Sequence, residues 1–103
     1  MSEYQPDQAA AALHQARQQR TQVAPLPAAI APRTEAEGAA VQHALAQRTG
    51  ATPPGGFKIG ATARRMQEYL GLSGPAAGFM AIGGLHNSGA TLRFADFVHP
   101  GME

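Results

Sequence analysis

The sequence predicts an α+β fold in which N-terminal helices lead into the start of a mixed β-structure. Three observations carry that reading. Alanine-rich stretches with helical spacing fill the first half, from Asp7 to Arg48. A Pro53-Pro54-Gly55-Gly56 segment then breaks the pattern, stiff first and permissive after. Beyond it, short apolar runs alternate with glycine-rich turns, the texture of strands and loops. The break divides the chain into a helical region over residues 1–54 and the start of an α+β domain over residues 55–103.

The first helix is expected from Asp7 to about Thr21, with Ala9, Ala12, Leu13 and Ala16 on one face and Asp7, after Pro6, as its cap. Pro25 and Pro27 each remove a donor and disfavour helix in the residue before, so Val23 to Pro27 is an extended connector. Thr34 and Glu37 have capping-box spacing, hydroxyl and carboxylate each able to satisfy an orphan amide. From that cap a second helix should reach Arg48 and bury Ala40, Val41, Ala44 and Leu45, with Thr49-Gly50 ending it. A strand holding Phe57 and Ile59 follows. Thr62 is placed to cap a short third helix through Met66 and Leu70, with Gly71 left-handed after it. Phe79 to Ile82 and Ala90 to Phe94 read as short strands or extended loops, and Asn87-Ser88-Gly89 between them fits a hairpin turn or a loop equally well. Strand material near the C-terminus has few partners in the chain, and an isolated hairpin is marginal in water, so the domain is expected to be incomplete.

The available core is thin. Alanine supplies much of the 44% hydrophobic content, tryptophan is absent, and there are only four phenylalanines and two tyrosines. Small side chains contribute little transfer free energy each, and 103 residues already limit the surface that folding can bury. Support from missing sequence or a partner subunit is therefore expected. A net charge of +1 with scattered arginines forms no basic stripe, which argues against nucleic acid as a partner. Without cysteine there are no disulfides, thiol nucleophiles or cysteine metal sites. The first residues lack a charged n-region and an apolar h-region, and no run is long enough to span a bilayer, so the expectation is a soluble cytoplasmic protein with no membrane partner.

Lys58 stands out chemically. It is the only lysine, set in Gly55-Gly56-Phe57-Lys58-Ile59-Gly60-Ala61-Thr62, and the other seven basic residues are arginines. A solvated lysine needs no apolar, glycine-flanked setting, because its charge prefers water. A lysine that moves a proton or holds an oxyanion gains from one, since desolvation strengthens its hold on a negative group. The other reading is a strand residue whose stem packs while its head snorkels to water. The residues alone leave both open. The neighbouring glycines meet neither the Walker spacing nor GxGxxG, so a phosphate loop is not indicated. His14, His43, His86 and His99 lack ligand spacing, and Ser88 near His86 has no third group to orient a base. Arg64 and Arg65 open the third helix, where cations oppose the dipole, which leaves a bound ligand, a partner carboxylate or a solvated helix face as explanations.

Gly56-Phe57-Lys58-Ile59-Gly60-Ala61-Thr62, then Met66-Gln67, Leu70-Gly71-Leu72 and the Gly74-Pro75 turn with Gly78-Phe79-Met80, resemble the 2-keto-4-pentenoate hydratase and oxalocrotonate decarboxylase branch of the fumarylacetoacetate hydrolase superfamily. Ala16-Arg17, Pro25-Leu26 and Ala40-Val41-Gln42 extend the likeness over nearly the whole chain, the lysine segment being its most specific part. The resemblance implies an N-terminal piece of a longer protein, with residues 55–103 the start of its catalytic domain. It also implies Mg2+ or Mn2+ held by acidic side chains, two of them one residue apart after a proline-containing turn. Pro100-Gly101-Met102-Glu103 matches the approach to that pair, so Glu103 takes the place of its first carboxylate. The companion acid is absent, and this chain alone is not expected to hold the cation.

The implied activity is that of a hydro-lyase, the metal-dependent addition of water to 2-hydroxypenta-2,4-dienoate-type 2-oxo acids in aromatic catabolism. Lys58 is its implied catalytic residue, donating a proton or holding the developing charge. Two alternatives stand beside it: decarboxylation of related 2-oxo acids, and a non-catalytic module that associates with a full-length family member. The implied partners are a small-molecule 2-oxo acid and further subunits, as a homo-oligomer or by association through exposed strands. One departure bears on the hydration step. Family hydratases commonly carry an aspartate directly after the proline of the turn, and here Pro75 is followed by Ala76.

Overall fold

Small side chains let the first two helices approach closely. In the computed structural model, which describes residues 3–101, α1 spans Asp7–Gln19 and α2 spans Glu35–Arg48. They pack through Ala9, Ala10, Val41, Ala44 and Leu45, with Tyr4, Leu13, Leu26 and Phe79 against the rim. The Tyr4 hydroxyl donates to the Ile30 carbonyl at 2.8 Å, holding the connector against the start of the chain. Full burial of a valine or leucine is worth about 1.5–3 kcal/mol. Only Val41 and Leu45 represent that class among the buried residues, so the core is thin, as composition predicts. Ala46 is buried on α2 where Ala40 was expected, and Ala40 is half-buried.

Each helix start departs in part from expectation. Thr34 Oγ1 accepts from the Glu37 N–H at 3.1 Å, but the Glu37 carboxylate takes the Arg33 N–H at 2.7 Å rather than that of Thr34. Pro6, not Asp7, occupies the cap of α1, and Asp7 lies in the first turn, where its charge suits the helix dipole. The third helix, α3, spans Arg64–Leu70 and is capped by Ala63 without a side-chain bond; Thr62 lies one residue too early. The helix ends follow one motif. Gly50 and Gly71 are left-handed, with Ala51 N–H donating to Ala46 O and Leu72 N–H to Gln67 O, each at 2.8 Å. α1 closes in the same way on a non-glycine residue, Arg20 at φ 55°, with Thr21 N–H donating to Ala16 O at 3.0 Å.

Strands β1, Gly56–Gly60, and β2, Ala76–Met80, form a two-stranded antiparallel sheet with α3 between them in sequence. The register sets Phe57 opposite Phe79, Lys58 opposite Gly78 and Gly60 opposite Ala76. Ala90 to Phe94 forms no strand: Ala90 N–H closes a turn on Asn87 O at 3.1 Å, and 3-10 turns occupy Ile82–Gly84 and Phe94–Asp96. A strand there would need a neighbour to satisfy its backbone, and the sheet does not extend to it.

The fold is thus a small α+β arrangement whose interior lies in its first half. From Thr52 to Gly101 no residue is buried. Polar contacts join the halves: the Glu35 carboxylate accepts from Ser73, and Arg20 meets Asp96 at 3.4 Å. Among the described residues no helix is long and apolar enough to cross a membrane.

Candidate functional site

Alternation along the hairpin sorts its side chains onto two faces. Phe57, Ile59, Ala77 and Phe79 share one; Gly56, Lys58, Gly60, Ala76, Gly78 and Met80 share the other. A Cβ added at Gly60 or Gly78 would meet nothing within 4 Å. Lys58 therefore rises from a strip almost bare of side chains, and it is exposed. The enclosed setting that its sequence neighbours suggested is not formed among the described residues. Glycines that look apolar in sequence bring no atoms with which to enclose a neighbour, and the apolar Phe57 and Ile59 point to the opposite face.

The same register brings two positions together that sequence separates. Ala76, two residues along β2 from Gly78, is the diagonal neighbour of Lys58 on the open face. Such neighbours lie about 7–8 Å apart, within reach of a lysine side chain.

The hairpin is seated on α2 by one side chain. Gln42 Nε2 donates to Ala77 O at 3.1 Å, and Gln42 Oε1 accepts from Phe79 N–H at 3.0 Å, so the amide occupies the outer edge of β2 as a neighbouring strand would. Sequence reasoning passed over Gln42, although it lies three residues before Leu45 and four before Ala46, on the buried stripe where a polar group needs partners. Beside it, Phe57, Phe79, His43, Pro53 and Pro54 help line an apolar slot of about 310 Å³. The slot faces away from Lys58.

Among the described residues, two titratable groups are shifted. Hydrogen bonds from the Ser73 hydroxyl at 2.7 Å and the Ser73 N–H at 3.1 Å hold the Glu35 carboxyl below the usual carboxylate range. Partial desolvation and, second, the negative charge of Glu37 push the Tyr4 phenol up. Arg64 pairs within its helix with Glu68 at 3.8 Å, both exposed, which is the solvated-face arrangement.

Glu103, the expected metal ligand, lies outside the described residues. Among the described residues no three His, Cys, Asp or Glu side chains gather as a cation site. A hard divalent cation takes about six or more oxygen ligands, so these residues do not by themselves fit Mg2+ or Mn2+. Comparison of the chain with protein-family models, curated proteins and solved structures finds no match.

Proposed function

We propose that this chain is the lysine-bearing part of a hydratase-like lyase of the 2-keto-4-pentenoate hydratase type, acting on 2-oxo acids such as 2-hydroxypenta-2,4-dienoate. The observation that carries the reading is the register. Lys58 and position 76, both singled out by the resemblance, are diagonal neighbours on one open face of one hairpin. In this reading the glycine strip is the floor on which a flat 2-oxo acid lies. The Lys58 ammonium, with three donors, meets the oxygen on which negative charge develops, or passes a proton to the substrate. Ala76 supplies no carboxylate to activate water, so addition of water is the weaker half of the chemistry and proton transfer at Lys58 the stronger.

Mg2+ or Mn2+ belongs to this proposal only with Glu103 and further acids outside the described residues. The purified 103-residue chain is accordingly expected to show no turnover with either ion, since one carboxylate gives a hard cation too little coordination to displace its water. The decisive experiment reads the encoding DNA past Glu103 and assays the resulting protein. Lys58→Ala should lower kcat by about a hundredfold or more with metal affinity nearly unchanged, as for a group acting in the transition state. Glu103→Ala should weaken metal binding instead. Unchanged turnover in Lys58→Ala would overturn the assignment.

A second reading, a non-catalytic module that associates through exposed strands, draws support from Phe57, Ile59, Tyr69, Ile82 and Phe94, all more than half exposed. A stop codon directly after Glu103 would favour it. A cytoplasmic location is part of either proposal.

A further inference from the structure

A cleft opens where α1, the connector, α2 and β2 meet. Its volume is about 330 Å³, and Leu13, Leu26, Val41, Leu45 and Phe79 give it apolar walls. An apolar cavity of about 150 Å³ admits benzene, so this one has room for a ring with a short side arm. Gln42 also borders it, with both ends of its amide already bonded to β2.

Two features of the cleft have no explanation in contacts within the chain. The first is Gly38, which lies on it inside α2, where glycine lowers helix stability relative to alanine. Its backbone is helical and a Cβ built on it would meet nothing within 4 Å, so neither conformation nor close packing calls for glycine. What the missing side chain leaves is open cleft. The second is Arg17, among the described residues the only charged group on the cleft. In the last turn of α1 a cation suits the helix dipole, which accounts for the charge but not for its place beside apolar walls. No carboxylate among the described residues pairs with its guanidinium. A guanidinium takes a carboxylate through two parallel hydrogen bonds, and apolar walls with one polar anchor suit a small ligand that has an apolar body and a single charged head.

We propose that this cleft binds a small organic acid, a ring or short chain ending in one carboxylate, with its body against Gly38, Val41 and Phe79 and its carboxylate on Arg17. A neutral molecule of the same shape lacks the ion pair, and a phosphate lacks the apolar body. Because the ligand covers side chains of a thin core, its binding stabilises the fold. The inference does not rest on the lyase reading, whose lysine lies on the opposite face of the hairpin from Phe79.

3-Phenylpropionate serves as the probe and its amide as the neutral control. Titrated into the 103-residue chain, the acid should shift the Leu13, Gly38, Val41 and Phe79 amide resonances and raise the thermal midpoint, with a dissociation constant of about 1 mM or below. The amide should bind about tenfold more weakly. Arg17→Gln, at an exposed position, should bring the acid down to the level of the amide and leave the amide's binding unchanged. Gly38→Leu separates the site from stability: it should raise the urea midpoint through helix propensity and abolish binding, because its side chain fills the cleft. Should Gly38→Leu fail to fold, Gly38→Ala carries the same two signs on a smaller scale. Any of four results would overturn the proposal: no saturable binding of the acid up to about 10 mM, equal binding of acid and amide, shifts confined to the slot beside His43 and Pro53, or a dimer of the chain that already protects the Leu13 and Gly38 amides without ligand.

Discussion

Gln42 and Glu35 carry the contacts that place the hairpin, and each can be tested by what its chemistry forbids. Gln42→Ala removes two hydrogen bonds at the edge of β2, one of them exposed, and is expected to cost about 1 kcal/mol in urea unfolding. Gln42→Glu still accepts from Phe79 but turns a carboxylate oxygen on the Ala77 carbonyl. It should be less stable than wild type at neutral pH and should recover on acidification, when its protonated form can donate. The Glu35 shift has the opposite sign. Its folded-state pKa is lowered by Ser73, so the bonded carboxylate stabilises the fold above the ordinary value of 4.5, and that contribution is lost as pH falls through the folded value. Ser73→Ala should therefore be less stable than wild type at neutral pH, with the gap closing in acid; a gap independent of pH would contradict the assignment. At this scale the sequence was only partly legible. Lys58 is conspicuous by its uniqueness, but its exposure is decided by glycines that present no side chains. Gln42 is one glutamine among many, and its role appears only when β2 arrives beside it.

The helices show what local rules can and cannot say. Gly71 ends α3 in the left-handed conformation that sequence assigns it, and Gly50, expected to end α2, adopts the same conformation, because no other residue there adopts positive φ so cheaply. α1 ends on Arg20, a residue with no such preference. The left-handed conformation costs a side-chain-bearing residue about 1–2 kcal/mol, part of which glycine returns through its unfolded-state freedom. Arg20→Gly should thus raise stability by about 0.5–1 kcal/mol, read as a higher urea midpoint. Loss of the Arg20 to Asp96 pair subtracts little, since the Arg20 side chain is more than half exposed, the Asp96 side chain is partly so, and Arg93 also reaches Asp96 at 3.5 Å. Of the strands, β1 was legible for a different reason, whereas β2 covers Ala76–Met80 and not the Phe79 to Ile82 run expected, Ile82 lying in a 3-10 turn. Phe57 and Ile59 alternate with Gly56, Lys58 and Gly60 and so announce β1, whereas Ala90 to Phe94 has apolar residues too but pairs with no strand among the described residues. Composition sets strand propensity; pairing decides the strand.

Across the whole molecule, the thin core inferred from alanine content reappears as a radius of gyration of 15.0 Å, against about 13 Å for a compact chain of 100 residues. The helical pair holds the interior, and the hairpin and following turns lie over it with apolar side chains exposed. That division follows the Pro53-Pro54-Gly55-Gly56 break, so the broad α+β plan is readable from texture alone. The sheet's asymmetry was not readable, since it depends on one helix amide meeting one strand. It also limits what can be built from this surface. With Gln42 holding Ala77 O and Phe79 N–H on the edge of β2, and the edge of β1 open among the described residues, a sheet formed by adding a strand to this chain can grow in a single direction. A unit with one open edge can terminate a ladder but cannot be a link within one, so the runaway polymerisation that threatens exposed strands is denied by geometry before any charge is considered.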